Sequence, residues 1–376
     1  MKRATAVVLT GAMLWITGGL TPEAGAARAD GARLDADFRF RYERIDQEGR
    51  EAYDRHRIRV RLGLEGAAGD HAHYTVRLAS GSADPISTNQ TLGGGFSTKR
   101  IFLDRAFAGI RPPLVRGLEL LAGKMASPFM RPGGSQLLYD GDLSPEGVAG
   151  TYRHVLGRLS LFGAGSGFVV ENRRQDDDAF LYGAQAGFTY APEGTAWKAT
   201  AGASLYAYTE IEGTPAAAGD PVFDPAYGNS TSMVDSVVVI AAGFTLVEAF
   251  FEAELELEDM GGLRKLPVLL YGDLVKNTEP EEEATGWMAG VLVRPWKLKL
   301  GYNYRRLERD AVLAAFSDSD FAGGGTNAEG HQLIAGAKLL QGLDLNVSFF
   351  LNRLQIAAGE KARDYERLQI DLTTEI

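Results

Sequence analysis

Arg55, Arg57, Arg59 and Arg61 stand two residues apart, with Arg39 and Arg41 upstream and Arg77 downstream. In an extended chain, side chains two apart leave the same face. The run therefore makes a guanidinium wall, which can set up a field for ions and polar solutes. Glu252, Glu254, Glu256 and Glu258 repeat the spacing with the opposite sign. A third charged group, Asp140 and Asp142 with Glu146 just beyond, belongs to the polar stretch from Ala126 to Pro145.

Other chemistry is poorly supported. No cysteine occurs, which removes disulfides, thiolate metal sites and a lipoprotein anchor. His71 and His73 have no third ligand at metal spacing, and Asp310, Asp318 and Asp320 fit no calcium loop. The acid run Asp176 to Asp178 is that of a solvated loop, with lipopolysaccharide bridging through divalent cations as the alternative. Gly163, Gly165 and Gly167 lie in an alternating segment with no helix behind them, so they are no dinucleotide loop. There is no G-x-S-x-G elbow, and the five histidines suggest no catalytic triad. The expectation is a non-enzyme with no metal or cofactor.

The charged residues need strands to hold them. Leu34, Ala36, Phe38, Phe40 and Tyr42 alternate with Arg33 to Glu43, and Ile58, Val60, Leu62 and Leu64 alternate with the arginine run. Trp296 to Tyr304, Leu343 to Leu351 and Phe251 to Leu257 behave alike. This two-residue period excludes helices. The segments run about 10 residues or more and recur along the whole chain, which favours a transmembrane barrel over a soluble sandwich. Tight links at Gly66–His71, Arg111–Arg116, His154–Arg158, Ala191–Thr195, Arg294–Pro295 and Gln341–Gly342 alternate with long ones at Gly81–Lys99, Ala126–Pro145, Thr209–Met233, Asn277–Ala284 and Val312–Glu329. The expected fold is all-β: an antiparallel up-and-down barrel of about 16 strands, with short periplasmic turns and long extracellular loops.

Periplasmic termini require an even strand number, so residues 234–258 are taken as one descending strand with an extended outer part. A bulge is expected where Asp104 and Arg105 adjoin. Tyr152, Tyr182, Tyr190, Trp197, Trp287 and Trp296 are candidates for interfacial girdles. The last strand ends on Ile376, where such barrels usually carry an aromatic residue that the assembly machinery is thought to read.

Several stretches resemble the putative porin family of Gram-negative outer membranes. They are Ala79-Ser80-Gly81 with Ser87 to Gly93, Leu103 to Phe107, Gly123-Lys124-Met125 with Ser127-Pro128-Phe129, Asp140 to Gly147, Phe316 to Phe321, and Gly324 to Asn327 with Gly330-His331. The resemblance implies a barrel and a channel; it supplies neither a solute nor catalytic residues.

If the apolar faces meet lipid, the charged faces line water, because a charge at mid-bilayer costs roughly 2–4 kcal/mol. Arg39 to Arg77 then form a lumen wall, and the glutamates 252–258 form a second wall of opposite sign. The loop from Ala126 to Pro145 lies between the fifth and sixth strands, where diffusion porins of this resemblance fold a loop inward. Its acids would face the arginines across a constriction. The alternative is an arginine network neutralised by Asp35, Asp37 and Glu43. Passive diffusion of small hydrophilic solutes and ions is the expected function. A selective anion or phosphate pore, or a plugged barrel carrying an adhesin or enzyme on its loops, remains open.

Lys2 and Arg3 followed by the apolar stretch Ala4 to Leu20 form an export signal. A-x-A sites end at Ala26 and Ala29, and cleavage after Ala29 would leave residues 30–376 as one barrel domain. Loss of three positive charges and one negative charge takes the net charge from −10 to −12, which argues against a nucleic-acid partner. The expected partners are outer-membrane lipid, lipopolysaccharide, the assembly machinery, transported solutes and, in a homotrimer, two further copies.

Overall fold

The computed structural model describes residues 32–174, 176–216, 223, 227–260 and 263–375. The segment expected to be an export signal, with its expected cleavage sites, and Ile376 lie outside the described residues. The strands are β1 (Arg33–Gln47), β2 (Tyr53–Ala68), β3 (Ala72–Ser80), β4 (Gln90–Thr91), β5 (Ile101–Ile110), β6 (Leu118–Lys124) and β7 (Glu146–Leu156). They continue as β8 (Leu159–Glu171), β9 (Ala179–Tyr190), β10 (Trp197–Tyr208), β11 (Thr231–Val234), β12 (Val237–Ile240) and β13 (Thr245–Met260). The chain finishes with β14 (Leu263–Asn277), β15 (Thr285–Val293), β16 (Leu298–Leu307), β17 (Ala328–Leu340), β18 (Leu343–Leu354) and β19 (Arg363–Glu375).

Every ring strand except β1 and β19 pairs antiparallel with its neighbours in sequence, and those two pair with each other from Asp37↔Glu375 to Gln47↔Tyr365. The result is a closed barrel of 16 strands. Closure leaves no unpaired ladder edge in the wall. Among the described residues no helix is long and apolar enough to cross a membrane, which says nothing of a β-barrel.

The tight connections all fall at one rim and the long ones at the other. Exposed aromatics mark both levels. Tyr190 and Trp197 contact at 5.8 Å beside a short turn, while Trp287 and Tyr304 contact at 5.2 Å near the long loops. The expected bulge is present: Arg77 faces Arg105 and Leu78 faces Leu103, so Asp104 is skipped in the ladder.

One strand boundary is corrected. Residues 245–260 form a single wall strand, but the expected outer extension is not part of it. Asp235 and Ser236 have φ of +47° and +68°. Two successive residues with positive φ make a tight hairpin turn, and it pairs β11 with β12 inside the loop that follows β10. The even strand number is unaffected.

The inner wall is chemically divided. Around β1, β2 and β19 it is charged. On β8 to β10 and β13 to β16 its upper part carries buried apolar and aromatic groups, among them Phe168, Leu181, Tyr206, Leu246, Tyr271 and Met288. A simple division into apolar outer and charged inner faces therefore does not hold for this half. What covers it is the chain's own loops.

Candidate functional site

The loop 125–145 enters the lumen and lies on that apolar half. Met125, Phe129, Leu137, Leu138 and Tyr139 are all buried against it. Phe129 meets Tyr206 edge-to-face at 4.9 Å, and Tyr139 does so at 5.4 Å. Gly183 makes room for Phe129: a Cβ there would stand 2.4 Å from the ring's Cζ. Fully burying a large apolar side chain contributes roughly 1.5–3 kcal/mol, so several such residues hold the loop in place.

Polar contacts fix its register. Gln185 accepts from the Met130 N–H at 2.7 Å and donates to the Met130 carbonyl at 3.0 Å. The Gly133 N–H donates to Glu252 at 2.8 Å, and the Ser135 hydroxyl donates to Asp273 at 2.6 Å. The loop 308–327 joins it from another side: the Asp140 N–H donates to the Phe316 carbonyl, and the Ser319 N–H donates to the Asp140 carboxylate, both at 2.8 Å.

The tip of loop 125–145 reaches the arginine wall. Asp142 lies 3.5 Å from Arg61 and 4.0 Å from Arg59, and it accepts from the Thr88 hydroxyl at 2.8 Å. Burial alone would raise its carboxyl, but Arg59, Arg61 and Arg39 hold it below the usual carboxylate range. Burial, reinforced by Asp318 and Asp142, lifts Asp140 well above that range. Two neighbouring acids are thus driven apart by their surroundings.

The arginine wall is largely paired. Arg41 grips Asp371 at 2.6 and 2.7 Å and reaches Asp320 at 3.1 Å. Arg55 pairs with Glu43, Arg77 with Asp104, and both Arg59 and Arg61 with Asp37. Of the three acids weighed as neutralising partners, Asp37 and Glu43 take this part. Burial would raise Asp320, yet Arg367, Arg41 and Arg39 pull it far below the ordinary range.

Glu146 is corrected. It opens β7 opposite Lys124 on the outward-facing side, which it shares with exposed Val148, and pairs with that lysine at 2.8 Å. The ladder's period of two turns it away from the lumen. Of the second acidic run, Glu252 touches the loop, Glu254 pairs with Lys198 at 2.7 Å and Glu256 with Lys265 at 2.8 Å, while Glu258 is exposed. Their strand, β13, is the tenth of the ring and lies across it from β2, the second.

Arg105, Arg305, Arg367 and Asp371 also belong to the charged interior but were not singled out from the sequence. Arg305, Arg367 and Asp371 stand on the polar faces of alternating strands. Arg305 pairs with Asp318 at 3.0 Å and lies over the Phe321 ring at 4.5 Å. Among the described residues no group of three or more histidines or carboxylates is set to hold a metal.

On the long-loop side of the contact between Asp142 and the arginine wall is a cavity of about 820 Å³, lined by residues that include Arg57, Ser87 and Arg367. On the short-turn side is one of about 580 Å³, lined by residues that include Arg39, Asn89 and Asp142. A closed 16-strand barrel with a loop folded into a charged lumen is the architecture of an outer-membrane porin.

The sequence agrees: the putative porin family model matches residues 28–248 and 259–375, and the chain belongs to that family. It is an outer-membrane porin, a channel. The fold is similar to OprB of Pseudomonas putida, with 12% identity, a TM-score of 0.59, and 92% of this chain and 94% of the other covered. It is also similar to OmpF of Salmonella typhi, with 12% identity, a TM-score of 0.50, and 92% and 97% covered. No curated protein matches the sequence significantly.

Proposed function

We propose that small hydrophilic solutes and ions diffuse passively between the arginine wall of β1 and β2 and the inward loop 125–145, and that this gap is the constriction. The observation that carries this reading is the seating of Asp142 against Arg59 and Arg61, with a cavity on either side. Glu254, Glu256 and Glu258 line the exit at the short-turn rim. Nothing in this role requires catalysis, a metal or a cofactor.

The first 29 residues direct export and are removed. The barrel then inserts through the outer-membrane assembly machinery into lipid and lipopolysaccharide, where it works as a homotrimer. The two aromatic levels support the placement in a bilayer.

Because the chain has no cysteine, a single introduced thiol is a unique probe. Gly141 is exposed at the loop tip and lines the cavity on the short-turn side. After Gly141→Cys, a bulky thiol reagent should reduce single-channel conductance by roughly half or more, as expected for narrowing at a constriction. The same reagent on Leu270→Cys, on the outer face, should do nothing. Equal insensitivity of both variants would place the path elsewhere.

A further inference from the structure

Around the contact of loop 125–145 with the arginine wall the ion pairs leave arginines over, although Asp84 shares the upper cavity with Arg57 without reaching ion-pair distance. Asp37, Glu43, Asp104, Asp318, Asp320 and Asp371 each have an arginine in ion-pair reach. Asp142 has two, Arg59 and Arg61. Asp140 accepts two backbone N–H groups and is held toward its neutral form by burial. Each of these acids is thus already engaged, and none is left over to neutralise a further arginine.

Three arginines lack an acid of their own. Arg57 and Arg105 form no ion pair among the described residues. Arg39 comes no closer than 3.7 Å to Asp371, which already holds Arg41 through both oxygens. Each of the three is held instead by a neutral acceptor: Arg57 donates to Ser87 at 3.2 Å, Arg39 to Asn89 at 2.6 Å and Arg105 to Ser144 at 3.3 Å. The Nε–H groups of Arg39 and Arg57 are buried with no acceptor at all. A guanidinium offers donors in a fixed fork that suits carboxylate and phosphate oxygens, so these are open positions for an anion.

Their placement gives the pair a direction. Arg57 and Ser87 line the cavity on the long-loop side, and Arg39 and Asn89 line the one on the short-turn side. One short segment, Ser87 to Asn89, therefore holds an under-compensated guanidinium in each chamber. Asp344 and Glu375 also line the lower cavity. They belong to the strand ends at the short-turn rim, where water and salt screen them most effectively.

We propose that Arg57 and Arg39, positioned by Ser87 and Asn89, are successive anion-binding stations on the two sides of the constriction, and that the porin passes small oxyanions, carboxylate or phosphate, in preference to cations. This rests on the channel reading above and adds the solute class to it. Two weak stations in series allow entry and exit without trapping.

The test is reversal potential in planar bilayers under a KCl gradient, with succinate and inorganic phosphate as blockers of chloride current. The wild-type protein should prefer chloride severalfold, and Arg39→Gln combined with Arg57→Gln should bring the permeability ratio near parity. Asn89→Ala keeps both charges and should weaken block while leaving the sign of selectivity intact. Stronger block by succinate identifies the carboxylate, and stronger block by phosphate the phosphate. Cation preference in the wild type, an unchanged ratio in a folded double variant, or block by neither anion overturns the proposal. A wild-type barrel with no conductance would instead count against the channel reading.

Discussion

Glu43→Ala is expected to cost the barrel about 3–5 kcal/mol, the usual penalty for removing one partner of a buried ion pair. Glu43 is fully enclosed on β1. It accepts from Arg367 through Nε at 2.8 Å and again through a second guanidinium nitrogen, from Gln369 at 2.9 Å, and from Arg55. Arg367 and Gln369 stand on β19, so the cluster staples the first strand to the last. Without Glu43, the nearly inaccessible Arg367 keeps Asp320 as its one ion-pair partner among the described residues. The barrel should then open first at its seam. Guanidinium unfolding followed by tryptophan emission would record an earlier midpoint, and Glu43→Gln, which retains an acceptor oxygen, should fall between. An unchanged midpoint for Glu43→Ala would mean that the seam is held by backbone pairing alone.

Loosening the inward loop should have the second large effect, on conductance. Leu137 is fully buried in the loop's apolar contact with the wall, and Leu137→Ala should weaken docking by about 2–5 kcal/mol. Gly183→Val attacks the same contact from the wall, because a side chain there enters the space of the Phe129 ring. Both variants should show larger and noisier single-channel currents, and in each the loop 125–145 should become more sensitive to protease. Agreement between the two matters because they share no residue. If both kept wild-type conductance with the loop still protease-resistant, the apolar seat would not be what holds the loop.

The charged half of the molecule was readable in the sequence because β1 and β2 alternate strictly. Phe38, Phe40 and Val60 face out, and Arg39, Arg41 and Arg59 face in. The other half was not. Phe168 adjoins Val169, Leu181 adjoins Tyr182, Leu246 adjoins Val247 and Phe250 adjoins Phe251, so both faces are apolar and the two-residue period disappears. An apolar inner face needs a covering loop, and nothing local in those strands announces which loop covers it. The resemblance pointed to the right connection, but the burial that holds it there became visible only in three dimensions.

Pairing across strands was hidden for a related reason. Asp371 and Arg367 lie more than three hundred residues from Arg41 and Glu43, and only ring closure brings them together. Glu146 shows the opposite error, since nearness in sequence to Asp140 and Asp142 says nothing about its face once a strand has begun. The hairpin of β11 and β12 was missed because Asp235-Ser236 was taken as strand, although such residues readily adopt positive φ in tight turns.

The central claim is that this folded barrel is an open pore narrowed by its own loop. Single-channel recording of the purified, folded protein in planar bilayers tests it most directly. Discrete, long-lived conductance steps in the wild type, enlarged in Leu137→Ala, are the predicted result. Folded protein that inserts but carries no current in either form would contradict it.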